Sequence, residues 1–269
     1  MKAAFYTLGC KVNQYDTQIM EQSMRDEGFE IVSPYKKTDV LVVNSCTVTA
    51  ESDRKTRQIF RRLKHQNPNA LAVLCGCYVQ ASPQKAASIQ EADIITGVRD
   101  RKGIAQLILT ALKGKNVQTT ISSFSKDEQF EPMCAKSFLG HTRAFVKIED
   151  GCQNYCTYCI IPFSRGPVRS KSPEEIQIEL SSLQQNGYKE VVLVGINLSA
   201  YGLGKNKNLS DAVDAAAQTG LSRIRLGSLS PLVITDSFLH HMKQQSAFCP
   251  HFHLSLQSGC TATPVSYTP

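Results

Sequence analysis

The segment Gly151-Cys152-Gln153-Asn154-Tyr155-Cys156-Thr157-Tyr158-Cys159 follows a strand-like run and precedes a proline. Its cysteines have the spacing C-x3-C-x2-C. Three closely spaced thiolates can hold one face of an iron–sulfur cube, whose fourth iron then stays open to a ligand from outside the protein. Ferredoxins instead use C-x2-C-x2-C with a further cysteine. We therefore interpret Cys152, Cys156 and Cys159 as ligands of a [4Fe–4S] cluster with one open iron.

Strand and helix patterns alternate on both sides of this loop. The second half of the chain predicts strands at 143–148, 190–195, 222–227 and 251–256, and helices at 173–186, 209–219 and 235–245. This pattern predicts a parallel β/α array, with the cysteine loop after its first strand. In β/α barrels, the loops at the carboxyl ends of the strands carry the ligand sites.

The first half of the chain has the same alternation. We predict strands at 2–8, 39–43, 70–74 and 93–96, and helices at 13–28, 50–65, 83–90 and 101–113. Strands separated by single helices predict a doubly wound parallel sheet. Asn13 and Thr49 are the expected caps of the first two helices. Residues 115–140 have neither pattern and predict a linker, which gives domains at 1–114 and 141–269.

Three cysteines of the first half, Cys10, Cys46 and Cys77, each closely follow a predicted strand. The carboxyl ends of the strands in a doubly wound sheet share one crevice, so three loops can bring these thiols together. Cys75 is the alternative to Cys77. The remaining cysteines have no ligand-like spacing, and we interpret them as buried or bystander thiols: Cys134, Cys249 and Cys260.

The cysteine loop resembles the radical S-adenosylmethionine (SAM) enzymes, whose signature has this spacing and an aromatic residue, here Tyr158, before the last cysteine. To about residue 260 the chain resembles their methylthiotransferase branch. The shared motifs are Val146-Lys147-Ile148-Glu149-Asp150-Gly151-Cys152, Pro162-Phe163-Ser164-Arg165-Gly166 with Arg169-Ser170, and His253-Leu254-Ser255-Leu256-Gln257-Ser258-Gly259. Two stretches, Leu8–Gln14 and Leu193–Gly202, are similar to the members that act on N6-threonylcarbamoyladenosine in tRNA.

The resemblance implies two [4Fe–4S] clusters and SAM. Cys152, Cys156 and Cys159 would hold the cluster that cleaves SAM to methionine and a 5′-deoxyadenosyl radical. Cys10, Cys46 and Cys77 would hold an auxiliary cluster that presents the sulfur, and the Gly-Cys-Tyr-x-Gln context selects Cys77 over Cys75. A second SAM would methylate that sulfur. The methylthio group would go to C2 of the adenine beside the anticodon, with electrons from a donor such as flavodoxin or ferredoxin.

One residue of the cysteine loop and several residues on or at the ends of the later strands are candidates for the SAM site. They are Tyr158, Gly195, Asn197, Ser228 and Gln257, with His253 as a further inward-facing candidate. Arg165 and Arg169 could reach a SAM carboxylate or a substrate phosphate. The alternatives are packing roles for Tyr158 and His253, and surface charges for the two arginines.

The predicted helix at 50–65 carries six cations on one half of its surface. The acids Glu51 and Asp53 offset only part of this charge, and the cations are Arg54, Lys55, Arg57, Arg61, Arg62 and Lys64. Ile59, Phe60 and Leu63 would face the core. Such a stripe suits contacts to RNA phosphates, and the alternative is an ordinary solvated helix face. The formal charge of +7 is compatible with RNA binding.

The N-terminal residues predict a strand rather than a signal peptide, and no apolar run has the length of a membrane span. We therefore expect a cytoplasmic protein without a membrane or DNA partner. The 10 cysteines are then ligands or buried thiols rather than disulfides.

The resemblance stops after Gly259-Cys260. Family members continue there through further barrel strands and a small RNA-binding β-barrel domain. We expect a truncated or frameshifted chain, with the barrel cut short after about four strands and no tail domain. The cluster ligands are present, and whether such a chain is active is a question for experiment. The alternatives are a methylthiotransferase acting on a ribosomal-protein aspartate, and a non-catalytic remnant that binds clusters or zinc.

Overall fold

A computed structural model of the 269-residue chain describes residues 1–115, 121–138 and 142–258. Cys260 and the predicted tail therefore lie outside the described residues. The chain divides into two compact units. The first is Met1–Ser123 with Phe163–Arg165, and the second is Phe124–Pro162 with Gly166–Pro269. Within the described ranges, none of the helices combines the length and apolar character that crossing a membrane requires.

The first unit is a doubly wound parallel sheet, as predicted. Its strands are β1 Lys2–Thr7, β2 Glu30–Val32, β3 Val40–Ser45, β4 Leu71–Gly76 and β5 Ile94–Thr96. Its helices are α1 Lys11–Asp26, α2 Ala50–Gln66, α3 Cys77–Ala81, α4 Pro83–Ala87 and α5 Ile104–Leu112. The strand order is β2-β1-β3-β4-β5. From β1 the chain adds β2 on one side and then β3, β4 and β5 on the other, so the strand order reverses between β1 and β3. Such a switch point is where parallel sheets open a ligand crevice.

Both faces of this sheet are covered, because the strands alternate their apolar side chains between two helix layers. Val40 and Val42 pack with Met20 of α1. Leu41 and Val43 pack on the other face with Phe60 of α2. Burying each such side chain stabilises the fold by about 1.5–3 kcal/mol.

The structure corrects the predicted start of α1. Cys10 is the residue at the N-cap, and Asn13 lies one turn inside the helix with its side chain buried. Two details elsewhere also differ, since edge strand β2 was not predicted and the helix predicted at 83–90 ends at Ala87. The prediction for Thr49 is confirmed, because its side chain accepts a hydrogen bond from Ser52 N at the start of α2.

The second unit contains the predicted β/α alternation. Its strands are β6 Ala144–Lys147, β7 Glu149–Asp150, β8 Arg169–Ser170, β9 Glu190–Val194, β10 Arg223–Leu226, β11 Ser228–Leu229 and β12 His253–Leu254. Its helices are α7 Pro173–Gln185, α8 Leu209–Ala217 and α9 Asp236–Gln244, with short 3-10 turns at Leu198–Ala200 and Pro231–Val233. Helix α6, Ile161–Arg165, has its last three residues in the first unit.

Strands β6, β9 and β10 form a parallel sheet in the order β10-β9-β6. The strand predicted at 251–256 is reduced to β12, which pairs with β11 and not with β10. Among the residues that the structure describes, one isolated bridge, Ile224 with Phe248, continues the pairing beyond β10. Pro250 follows this bridge, and because proline has no N–H to donate, it is unsuited to extend a ladder there.

Residues 124–138, part of the predicted linker, have no helix or strand but are tied to the second unit. Ala135 N donates to Glu179 Oε1 at 2.7 Å, and Lys171 Nζ donates to Met133 O at 2.7 Å. Phe138 N donates to the Tyr188 hydroxyl at 2.6 Å. These bonds make the segment a packed part of that unit.

Candidate cluster sites

The first candidate site lies at the carboxyl ends of three neighbouring strands. Cys10 follows β1 and is exposed, Cys46 directly follows β3 and is buried, and Cys77 begins α3 after β4. Strands β1, β3 and β4 are adjacent in the sheet, so their loops leave from one edge. This is the arrangement that the positions of the three cysteines predict.

Two glycines let the loops of this site pack closely. Gly9 has a φ of +102°, and a Cβ there would lie 2.9 Å from Cys46 Sγ. Gly76 also has a φ of +102°, and a Cβ there would lie 2.5 Å from Asn44 Oδ1. Only glycine adopts this backbone conformation at low cost while leaving room for its neighbours.

Asn13 connects the three loops, a role that the sequence analysis missed. Its side-chain Nδ2 donates to Leu8 O at 2.7 Å and to Ser45 O at 2.9 Å. Its Oδ1 lies 3.7 Å from Cys77 Sγ. The buried amide therefore fixes the loops after β1 and β3 relative to the third thiol.

The environments of Cys75 and Cys77 differ in a way that favours Cys77 as the ligand. Cys75 lies within β4 in the apolar core, with Sγ 3.6 Å from Val43 O, and burial raises the pKa of its thiol. Burial also raises the pKa of Cys77, and a guanidinium group opposes the shift at each thiol, Arg101 at Cys75 and Arg165 at Cys77. The two cysteines differ in position instead: Cys77 is the first residue of α3, at the sheet edge from which the loops of this site leave, whereas Cys75 lies inside a strand.

The second candidate site is the loop after β7. Cys152, Cys156 and Cys159 are all partly exposed. Cys152 N donates to Gly166 O at 3.0 Å, and Cys159 N donates to Cys156 O at 2.9 Å. Gly151 has a φ of +93°, and a Cβ there would lie 2.0 Å from Pro167 O, so this position also requires glycine. The backbone thus holds the three thiols in one folded loop.

Asn197, one of the predicted cofactor contacts, lies next to a cysteine of this loop. Its Nδ2 donates to Cys152 Sγ at 3.7 Å, a long contact. Burial raises the pKa of the Cys152 thiol, and hydrogen bonds, including the one from Asn197, oppose that shift. Asn197 follows β9, at the carboxyl end of a parallel strand.

Four of the remaining candidates for the SAM site form two polar pairs, and Gly195 packs beside an acidic side chain. The Tyr158 hydroxyl donates to Gln257 Oε1 at 2.9 Å, and both residues are exposed. Ser228 Oγ lies 3.1 Å from His253 Nδ1. Gly195 packs on Glu149, because a Cβ there would lie 2.6 Å from Glu149 Oε2. Their contacts to SAM stay predictions.

The donor sets fit iron–sulfur clusters. Each site offers three cysteines, and a cube takes one thiolate on each of three irons. Within the described ranges, no group of three His, Cys, Asp or Glu side chains is arranged to hold a single metal ion. Thiols on different irons of a cube stand farther apart than ligands of one ion, so this finding is compatible with a cube at either site.

Glu149, which the sequence analysis did not single out, is buried beside the second site. Burial raises its pKa well above the usual range, and the hydrogen bond from Asn197 N at 2.6 Å only partly opposes that shift. Its Oε1 has no hydrogen-bond partner among the described residues. Both observations show that this buried environment favours the protonated form of the Glu149 carboxyl over its charged form.

We predict a pH-dependent stability from Glu149. Because its folded-state pKa is raised, its stabilising contribution is complete below the unfolded pKa of about 4.3 and is lost as pH rises through the folded pKa. The free energy of unfolding of cluster-free protein, relative to Glu149→Gln, should therefore fall by at most about 1.4 kcal/mol per pH unit in that window. Urea unfolding at several pH values measures this difference.

Glu190→Gln is the matched control for that series. Partial burial raises the pKa of Glu190, but hydrogen bonds from Arg223 and Arg225 outweigh it, so the net pKa is lowered. Its contribution should be present at neutral pH and lost as pH falls through the lowered value. The difference in unfolding free energy between parent and variant should fall with rising pH for Glu149 and rise with pH for Glu190. Slopes of the same sign would contradict the prediction.

Helix α2 presents the predicted cations, but local acids pair with four of them. Arg54 and Lys55 pair with Glu51 at 2.7 and 3.9 Å, Arg61 with Glu91 at 3.1 Å, and Lys64 with Asp93 at 3.3 Å. Two others lie over aromatic rings, Arg57 over Tyr78 and Arg62 over Tyr35. The prediction that Phe60 and Leu63 face the core is confirmed.

Comparisons with known families match both units. Residues 2–97 match the family described as "Uncharacterized protein family UPF0004". Residues 146–262 match the radical SAM superfamily. The radical SAM methyltransferase TsrM from Kitasatospora setae, solved with cobalamin and a [4Fe–4S] cluster, has a similar fold, with a TM-score of 0.63 at 13% identity. The likeness covers 94% of this chain and 58% of that one.

Curated relatives match nearly the whole chain. It is 36% identical over 260 residues to "Threonylcarbamoyladenosine tRNA methylthiotransferase MtaB" of Aquifex aeolicus (strain VF5), covering 96% of this chain and 63% of that protein. Identity to the protein of the same name in Bacillus subtilis (strain 168) is 37% over 260 residues, covering 95% and 57%. A "tRNA-2-methylthio-N(6)-dimethylallyladenosine synthase" of Staphylococcus epidermidis (strain ATCC 12228 / FDA PCI 1200) is 30% identical over 262 residues, covering 94% and 51%. The chain thus spans between half and two thirds of the length of these relatives.

Proposed function

Because the chain belongs to the radical SAM methylthiotransferase family, we propose that it transfers a methylthio group to C2 of N6-threonylcarbamoyladenosine in tRNA. Membership of the radical SAM superfamily implies one [4Fe–4S] cluster and SAM. The proposal adds an auxiliary cluster on Cys10, Cys46 and Cys77, a flavodoxin or ferredoxin as electron donor, and a cytoplasmic location.

One observation carries this proposal: a second set of three thiols at the carboxyl ends of β1, β3 and β4. Generating a radical requires only the cluster on Cys152, Cys156 and Cys159. Inserting sulfur requires a sulfur donor as well, and a cube held by three thiolates has an open iron that can carry it. A second three-cysteine site therefore supplies the additional open iron that sulfur insertion needs beside the cluster that cleaves SAM.

The residues of the chain have separate roles in this scheme. When bound, SAM and its cluster supply the radical that activates an unreactive C–H bond. Asn197 orients the Cys152 sulfur, and Gly195 keeps the space beside Glu149 clear of a side chain. Asn13 holds the loops of the auxiliary site in place. Tyr158 and Gln257, joined through their side chains, would border bound SAM.

The choice of substrate is supported by the relatives. Those named for threonylcarbamoyladenosine are 36% and 37% identical to the chain, and the relative named for dimethylallyladenosine is 30% identical. An adenosine beside the anticodon is accessible to such an enzyme, since bases in single-stranded loops can be splayed out of the stack.

Anaerobic reconstitution followed by mass spectrometry of tRNA nucleosides tests the proposal. The protein is incubated with SAM, a reductant and tRNA carrying either N6-threonylcarbamoyladenosine or an isopentenylated adenosine. We expect a methylthio product from the first tRNA only. Product from the second tRNA, methylthio-aspartate in a ribosomal protein, or intact clusters without any product would each contradict the proposed function.

We also predict that α2 contributes to tRNA binding. The triple variant Arg57→Gln, Arg61→Gln and Arg62→Gln should lower the salt dependence of binding, because each phosphate contact adds about 0.7–0.9 to the slope of log K against log salt. The expected reduction is about 2 to 3 in that slope, measured by filter binding at several salt concentrations. The control replaces three cations outside α2, Lys36, Lys37 and Lys113. An equal reduction in both triple variants would show that net charge, and not α2, governs binding.

A further inference from the structure

Arg165 occupies an unexpected place in the fold. From the sequence alone, Arg165 is a candidate contact to a SAM carboxylate or a substrate phosphate, or a surface charge. The structure places it in the first unit, where its side chain and that of Asp16 are both 0% exposed. Its Nε donates to Cys77 Sγ at 3.2 Å, and one terminal nitrogen donates to Asp16 Oδ2 at 2.9 Å. The other terminal nitrogen donates to Asn13 Oδ1.

In these contacts the guanidinium group of Arg165 lies between the Cys77 sulfur and the Asp16 carboxylate. The guanidinium group touches the Cys77 sulfur, and Asp16 binds the guanidinium through a different nitrogen. The two charges act on the thiol with opposite signs, because Arg165 favours the charged sulfur and Asp16 disfavours it. Asp16 is held in α1, the helix that begins immediately after Cys10.

A neutral thiol compensates little for the burial of an arginine, because removing a charge from water costs several kcal/mol. A cube with three thiolates is a stronger partner. Its core of +2 and three thiolates sum to about −1, and one-electron reduction takes the sum to about −2. Hydrogen bonds and charges next to cluster sulfurs are among the factors that set the reduction potential. Arg165 is therefore placed where it stabilises the reduced cluster more than the oxidised one.

The radical SAM loop provides a contrast. The hydrogen bonds to Cys152 come from neutral groups, the backbone of Asn154 and the side-chain amide of Asn197, the latter at 3.7 Å. A neutral dipole at that distance stabilises added negative charge much less than a guanidinium group at 3.2 Å does. The two cysteine sites thus differ in the charge that contacts a ligand sulfur.

We propose that Arg165 and Asp16 are positioning residues that together set the reduction potential of the auxiliary cluster. Arg165 raises the potential through its contact with Cys77, and Asp16 lowers it and limits how far Arg165 raises it. This inference rests on the proposed auxiliary cluster at Cys10, Cys46 and Cys77. It predicts potential shifts of opposite sign when the two charges are removed singly.

The test uses the full chain with Cys152, Cys156 and Cys159 all replaced by alanine, so that only the auxiliary cluster remains. Midpoint potentials are measured by redox titration with EPR detection. At the parent midpoint, Arg165→Gln should lower the ratio of reduced to oxidised cluster at least tenfold, which is about 59 mV for one electron. Asp16→Asn should raise that ratio by a similar factor. The double variant should return to within about threefold of the parent, since both charges are gone.

Arg165→Lys and Arg25→Gln are the controls. The lysine variant keeps the positive charge, so its midpoint potential should lie above that of Arg165→Gln and closer to that of the parent. Arg25 lies on the same helix as Asp16 but pairs with Glu21, and its replacement should leave the potential unchanged. Should Arg165→Gln lose its cluster, Asp16→Asn still decides the sign, because the inference requires its midpoint potential to rise above that of the parent.

The outcomes separate this inference from the proposed function. Absence of iron from the triple-alanine chain would overturn both the auxiliary cluster and the inference. A cluster whose potential does not change, or changes in the same direction in Arg165→Gln and Asp16→Asn, would overturn the inference alone. Opposite shifts that cancel in the double variant would support it, because a merely structural defect moves both single variants in the same direction.

Discussion

Replacement of Cys156 by alanine is expected to abolish methylthiolation and to remove about half of the bound iron. The parent should carry about eight iron and eight acid-labile sulfide atoms per chain, as two cubes require. Cys156 lies in the centre of the loop in which Cys159 N donates to Cys156 O. Two remaining thiolates do not hold a cube with one open iron, so the cluster that activates SAM is lost. Iron analysis and nucleoside mass spectrometry of the same preparation measure both effects.

Two cysteine variants provide matched controls for that experiment. Cys249 is buried in the second unit, and Cys75 is buried in the core of the first. Neither is a ligand in our assignment, so Cys249→Ala and Cys75→Ala should retain the iron content of the parent. Parent-like iron in Cys156→Ala would refute the assignment of the radical SAM loop. Loss of half the iron in Cys75→Ala, with Cys77→Ala unaffected, would exchange the roles of these two residues.

Replacement of Glu179 by alanine is expected to reduce the free energy of unfolding by about 3–5 kcal/mol, the usual cost of breaking a buried ion pair. Glu179 and Lys171 form such a pair, with side chains 0% and 1% exposed. Lys171 also donates to Met133 O and lies 5.5 Å from the centre of the Phe130 ring. The substitution would leave a buried cation without its carboxylate and would also remove the acceptor of Ala135 N. Most domains have only about 5–15 kcal/mol in total, so this loss is large.

Chemical unfolding of cluster-free protein tests this expectation. Lys207→Ala is the control, because Lys207 pairs with Asp211 at 3.8 Å with its side chain 48% exposed. An exposed pair contributes less than about 1 kcal/mol. Glu179→Gln should fall between the two, since it can still accept from Ala135 N but lacks the charge. A loss in Glu179→Ala no larger than that in Lys207→Ala would contradict a stabilising role for the buried pair.

The sequence predicted those features that depend on local pattern. Alternating apolar runs predicted the parallel strands of both units, and the positions of Cys10, Cys46 and Cys77 after strands predicted a shared edge. A cap residue can also be identified locally, as with Thr49, when its side chain faces the first turn.

The features that the sequence did not predict depend on long-range contacts. Asn13 is a residue type that often caps helices, but its amide donates to Ser45 O at the end of β3, a contact that no local pattern encodes. Arg165 contacts Asp16, a residue far away in the chain, and nothing in the motif around Arg165 indicates burial. Residues 124–138 have the composition of a linker because the bonds that fix them join their own backbone groups to distant side chains, and such bonds leave no local sequence pattern. The strand predicted at 251–256 shortened because pairing, and not apolar character alone, determines a strand's length.

The parallel order of the first sheet has a consequence for how the two sites are assembled in the cell. Cys152, Cys156 and Cys159 lie within one short loop, so a nascent or unfolded chain can already offer all three thiols to an incoming cluster. Cys10, Cys46 and Cys77 come together only after β1, β3 and β4 have paired. Parallel pairing joins distant segments and is slow. For the auxiliary cluster proposed above, insertion would therefore be a late step of biogenesis, and a cluster carrier serving it would have to recognise the folded sheet edge rather than a linear cysteine motif.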